Sequence, residues 1–137
     1  MTGRGGQTLV EFTVVTLMMV VILLFVVEMG RALLVYTTVA NAARAGVRYA
    51  IVHGSSRTDG SASGTGSTTQ VVTVVKNFAS AGLLTTSLLV INVTYPNASN
   101  APGKSVNITV VYPYDPLTTY FSKTLRFGSA SQGIIVF

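Results

Sequence analysis

The sequence predicts an α+β fold: a long N-terminal helix with a membrane half and an amphipathic half, a short second helix, and a three-stranded antiparallel sheet. Three observations lead there. Helix-compatible residues continue from Thr8 to about Val52 with no proline before Pro96. Within that run, Phe12 to Val27 carries no charged residue. From Leu89 onward the apolar period changes from that of a helix to two, the period of a strand.

The chain opens on Met-Thr-Gly-Arg-Gly-Gly, residues 1–6, a short, basic, glycine-rich leader with nothing to pack. Leu9 to Val27 is apolar on every face. At about 19 residues it just reaches the length that crosses a hydrocarbon layer. Beyond Glu28 the pattern turns amphipathic. Met29, Leu33, Tyr36, Ala40, Ala43, Val47 and Ala50 follow at alternating steps of four and three, one stripe suited to helix packing. Arg31, Thr38, Asn41, Arg44 and Arg48 lie on other faces. Small residues at 42, 43, 45 and 46 allow close approach of another element.

Residues 54–69 are dominated by Gly, Ser and Thr and read as a flexible loop. Thr68 or Thr69 is expected to cap a second helix over about Gln70 to Ala81, with Val71, Val74, Val75 and Phe78 on one face and Gly82 at its end. Leu89, Ile91, Val93 and Tyr95 alternate in a first strand, and Val106, Ile108, Val110, Tyr112 and Tyr114 in a second, joined through turn material at 96–103. Pro113 and Pro116 are expected to stop the second strand, 117–126 is left unassigned, and 129–137 returns as a third strand with a bulge at Gly133. The expected organisation is a leader at 1–6, a transmembrane or assembly segment at 7–28, an amphipathic half at 29–53, a loop at 54–69 and a small extracytoplasmic domain at 70–137.

Several functions are excluded by residue type. The acidic residues Glu11, Glu28, Asp59 and Asp115 form no paired motif, there is no cysteine, and the single histidine, His53, stands alone as an exposed loop residue. No enzyme, metal site, cofactor or small-molecule substrate is therefore expected. The net charge of +5 is spread from Arg4 to Arg126 without a run of adjacent basic residues, which argues against nucleic acid. The Asn-x-Ser/Thr triplets at Asn92, Asn97 and Asn107 matter only in a host that glycosylates them.

Glu11 is the first candidate for function. A carboxylate at the start of a membrane-length apolar helix costs roughly 2.5–3.5 kcal/mol on insertion scales, so it needs a partner. Gly5-Gly6-Gln7-Thr8-Leu9-Val10-Glu11-Phe12 resembles a type IV prepilin processing site, with the scissile bond between Gly6 and Gln7. Cleavage there would place Glu11 fifth and Phe12 sixth in the trimmed chain. Glu11 could then neutralise the new Gln7 amine, in its own subunit or a neighbour, and set the stagger of one helix along the next.

The likeness extends further. Leu9 to Phe12 with the apolar span, then Glu28-Met29-Gly30-Arg31-Ala32-Leu33, then Asn41 to Ala50, resemble the N-terminal half of TadE-like pseudopilins; Met29 departs from the aromatic residue usual there. The resemblance implies a minor pilin of the tight-adherence (Flp/Tad) pilus machinery, cut by a prepilin peptidase, working among other pilins and pseudopilins at the inner membrane in pilus assembly, adhesion and biofilm formation. It implies a C-terminal domain outside the cytoplasm and, after assembly, in the extracellular pilus. Charge counting alone points the other way, since Arg31, Arg44 and Arg48 outnumber Arg4 and the start amine, but a folded domain after one span is translocated despite its charges. The alternatives are a filament-forming major pilin and a secreted or membrane-anchored binding module, the secreted form being cut after Ala40-Asn41-Ala42.

Overall fold

The computed structural model describes residues 4–53, 65–97, 101–116 and 124–136. The elements are α1 (Arg4–Val52), α2 (Thr65–Ala81), a 3-10 turn (Thr86–Leu88), β1 (Val90–Thr94), β2 (Ser105–Tyr114) and β3 (Leu125–Ile134). They form the α+β arrangement of one long apolar helix, a second helix and a three-stranded antiparallel sheet. The chain divides into two units, Met1–Leu33 and Leu34–Phe137, with the boundary inside α1.

In the second unit the sheet order is β1-β2-β3. The register runs from Val90↔Val111 to Thr94↔Asn107 on one side of β2 and from Ser105↔Ile134 to Tyr114↔Leu125 on the other. As the middle strand, β2 buries its alternate residues Val106, Ile108, Val110 and Tyr114, while Tyr112 is only half-buried. Against this layer α1 contributes Val35, Val39, Ala42, Ala43, Val47 and Ala50, and α2 contributes Val71, Val75 and Ala79.

Three glycines allow this packing. A Cβ on Gly46 would come within 2.5 Å of a Val75 methyl and 3.2 Å of the Ile108 δ-methyl. One on Gly133 would meet Ile51 Cδ1 at 2.5 Å and Val47 Cγ1 at 2.7 Å. One on Gly82 would collide with the Thr38 methyl. Gly133 is therefore no bulge: its pairing with Val106 lies in an unbroken register, and its missing side chain is the space that α1 occupies.

Other boundaries differ from the sequence expectation. α1 begins at Arg4, not Thr8, because nothing in Arg4-Gly5-Gly6-Gln7 actively stops a helix. α2 begins at Thr65, so Thr68 and Thr69 lie inside it and the Thr73 hydroxyl donates to the Thr69 carbonyl at 2.9 Å. The Tyr49 hydroxyl, donating to Gln70 Oε1 at 3.0 Å, ties these early turns to α1, a tertiary contact that outweighs loop-like composition. Residues 54–64 of the expected loop and 117–123 of the unassigned crossover lie outside the described residues. On α2 the buried line is Val71, Val75 and Ala79, Val74 is half-buried, and Phe78 is exposed. β2 continues through Pro113, which pairs with Arg126. β1 ends its pairing at Val111, so Pro113 lies where β2 has only one neighbouring strand and a missing N–H is tolerated. β3 starts at Leu125, four residues before the expected Ser129.

The end of α2 holds an unusual residue. Leu84 N–H donates to the Ala79 carbonyl at 3.1 Å and Leu83 N–H to that of Ser80 at 3.0 Å, the bond pair of a Schellman cap. The left-handed position belongs to Leu83, with φ 62°, rather than to Gly82. That conformation costs a side-chain-bearing residue about 1–2 kcal/mol. Leu83 is 90% exposed, so removing its side chain forfeits little packing. Leu83→Gly is expected to stabilise the second unit by about 0.5–1 kcal/mol, after allowance for the extra freedom glycine gives the unfolded chain. Thermal unfolding of the detergent-solubilised protein measures this, and an unchanged or lowered midpoint contradicts it.

Candidate functional site: the apolar segment of α1

The residue types of 9–27 permit one kind of surface only. Aliphatic and aromatic side chains follow one another around all sides of a helix, so no face is available to water. The structure leaves that surface uncovered: every large apolar side chain from Leu9 to Val27 is between 46% and 71% exposed. The helix contains an 18-residue window of mean hydropathy 2.8, none of it buried within the chain. A stretch of this length and composition meets the requirement for spanning a bilayer, and helical backbone pairing satisfies its polar groups internally. The Thr13 hydroxyl is also satisfied, donating to the Leu9 carbonyl at 2.8 Å, so this polar residue adds little cost to the apolar surface.

Glu11 and Phe12 lie on the exposed surface of the first turns. Among the described residues no cation lies within salt-bridge distance of Glu11. Gly6 and Gln7 both lie within α1, so the candidate scissile bond is part of the helical backbone. At the far end of the apolar segment Arg31 Nη1 stands 3.7 Å from Glu28 Oε2, one turn apart. Such a pair is worth a few tenths of a kcal/mol and marks where the helix returns to polar surroundings.

The stripe expected for helix packing is divided. Ala43 and Val47 are buried in the second unit and Ala40 is half-buried, whereas Met29, Leu33 and Tyr36 are exposed. Tyr36 does touch Phe127 edge-on, with ring centroids 6.4 Å apart. The intrachain face includes Val35, Val39, Ala42 and Gly46 besides the shared positions, a stripe turned by about one residue from the expected one. On the exposed side Arg44 Nη1 donates to Asn41 Oδ1 at 3.5 Å.

His53 follows the end of α1 as expected but is half-buried rather than exposed. Its ring stacks on Tyr49 with centroids 3.9 Å apart and an interplanar angle of 12°, and its Nδ1 lies 3.0 Å from the Tyr49 carbonyl. A spacing of four at the end of a helix was the available signal for that stack. Among the described residues no group of three or more His, Cys, Asp or Glu could hold a metal ion. The arrangement offers an uncovered apolar rod with one carboxylate near its start, chemistry suited to lipid and to other helices.

The family model described as TadE-like protein matches residues 6–48. The match spans the apolar segment and most of the remainder of α1 and stops before α2 and the sheet. No curated protein and no solved structure matches the chain.

Proposed function

We propose, from the TadE-like segment at residues 6–48, that this chain is a minor pilin-like subunit of a Tad-type pilus assembly system, trimmed by a prepilin peptidase between Gly6 and Gln7. The observation that supports the reading best is that none of the apolar window of α1 is buried within a chain whose other unit has a buried core. Such a surface requires an apolar environment, which a bilayer supplies first and neighbouring pilin helices supply afterwards. The TadE-like family suggests the second of these partners.

In this mechanism α1 anchors the subunit in the inner membrane with the strand-bearing unit outside the cytoplasm. Removal of residues 1–6 creates an ammonium group at Gln7. Glu11 pairs with that group in the same or an adjacent subunit as helices bundle, which removes two costly charges from an apolar interior and fixes the stagger. The subunit performs no chemistry of its own, and its exposed strand-bearing unit serves assembly and, through the pilus, adhesion and biofilm formation.

The secreted alternative conflicts with the packing. Cutting after Ala42 would detach Val35 and Val39 from the buried set and expose Ala43, itself fully buried. Mass spectrometry of the N-terminus of membrane-extracted protein tests the proposal: a chain starting at Gln7 is expected. A start at Ala43, or a mature chain still carrying residues 1–6, overturns it.

A further inference from the structure

We infer that the Gly5-Gly6 doublet is where α1 unwinds to present the Gly6–Gln7 bond, and that Gly5 is therefore a positioning residue that sets the rate of leader removal. The inference rests on the processing reading above. Hydrolysis breaks the C–N bond between Gly6 and Gln7, leaves the water oxygen on the Gly6 carboxylate and delivers both water protons to the Gln7 nitrogen as ammonium. The attacking oxygen needs the Gly6 carbonyl carbon, yet the backbone is helical from Arg4 onward. In an α-helix each carbonyl is engaged by the N–H four residues on, which for Gly6 is that of Val10. The bond must leave the helix before it reacts.

The glycines show why the doublet is placed there. Gly46, Gly82 and Gly133 are each explained by a neighbouring side chain that would strike a Cβ, and Gly103 by its φ of +80°. Gly6 has neither reason: a Cβ there would meet nothing within 4 Å, and its backbone is right-handed helix. Gly30 shares the open surroundings, and at Gly128 a Cβ would make only ordinary contact, 3.5 Å from Val111 Cγ2, but each stands singly, whereas residues 5 and 6 are adjacent glycines. What two glycines in succession supply is a weak stretch of helix, since each loses more conformational freedom on becoming helical than any other residue. From Leu9 to Val27 there is no glycine at all.

The test measures single-turnover cleavage of the full-length precursor in detergent micelles by a prepilin peptidase, for wild type, Gly5→Ala and Gly5→Val. Helix propensity makes alanine the slowest, roughly threefold to fivefold below wild type, and valine about twofold below it. A subsite that only excludes bulk gives the reverse order, with alanine faster than valine, and overturns the inference, as do equal rates for all three. Amide hydrogen exchange at Gln7 and Thr8 in the uncleaved precursor is the second readout, and it should slow in the same order as cleavage. Exchange that does not follow the rates also overturns the inference. Wild type left uncut at Gly6–Gln7 removes the processing reading itself, whereas normal cutting with the alanine and valine order reversed removes only the unwinding step.

Discussion

On the proposed pilin mechanism, Glu11→Gln is expected to insert in the membrane and lose residues 1–6 as the wild type would, yet to be recovered in pili at least tenfold less. The substitution keeps shape and hydrogen-bonding capacity and removes only the charge. Before assembly that is harmless or mildly favourable, because a carboxylate near the start of an apolar helix is costly in lipid. In the proposed bundle of trimmed helices, the loss would fall on the Gln7 ammonium. Removing one partner of a buried pair and leaving the other charge uncompensated costs about 3–5 kcal/mol, enough for a tenfold deficit even if much of it is relieved by water or lipid headgroups. Among the described residues Glu11 has no intrachain ion pair that would confuse the result. Quantifying the subunit in sheared pili and in membranes separates the two stages. Equal recovery of variant and wild type in pili would show that the carboxylate is not the partner of the new amine.

The long helix was the most legible part of the chain because its signal is local and repeated: an uncharged run, no proline, then a four-three stripe. The strands of β1 and β2 were legible for the same reason, since each alternates over several residues. What the sequence concealed depends on residues far apart along the chain. Gly133 suggested a bulge because glycine in a strand commonly marks one, and only the approach of Val47 and Ile51 shows that it is a space kept for α1. Gly82 suggested the left-handed cap, but Thr38 lies against it and the next residue, Leu83, takes the strained position instead. The rotation of the buried α1 face toward Val35, Val39 and Ala42 follows from two partners, the sheet and α2, pressing on one helix, which a single-stripe pattern does not encode. The exposure of Glu11 and Phe12 on α1 is a separate matter of surface, and it assigns neither residue a role.

Gly46→Ala is expected to change the sign of its effect with the residue at 75. In the wild-type background the new methyl lies 2.5 Å from Val75 Cγ2 and 3.2 Å from Ile108 Cδ1, and both neighbours are fully buried with no room to retreat. Overpacking of this kind costs about 1–3 kcal/mol, more than the roughly 1 kcal/mol that alanine gains over glycine in a helix. Gly46→Ala alone should therefore destabilise the second unit by up to about 2 kcal/mol. Val75→Ala alone opens a cavity and costs about 2 kcal/mol. In the Val75→Ala background the Gly46→Ala methyl enters vacated space, relieves part of the cavity and keeps its helical advantage, so it should stabilise by about 1 kcal/mol. The coupling of about 1–3 kcal/mol lies within the range for residues in contact and is measurable by thermal unfolding, where each kcal/mol moves the midpoint of a domain this size by about 4–8 °C. Additive losses, with Gly46→Ala harmful in both backgrounds, would mean that α1 and α2 do not meet at this point and that Gly46 is kept for another reason.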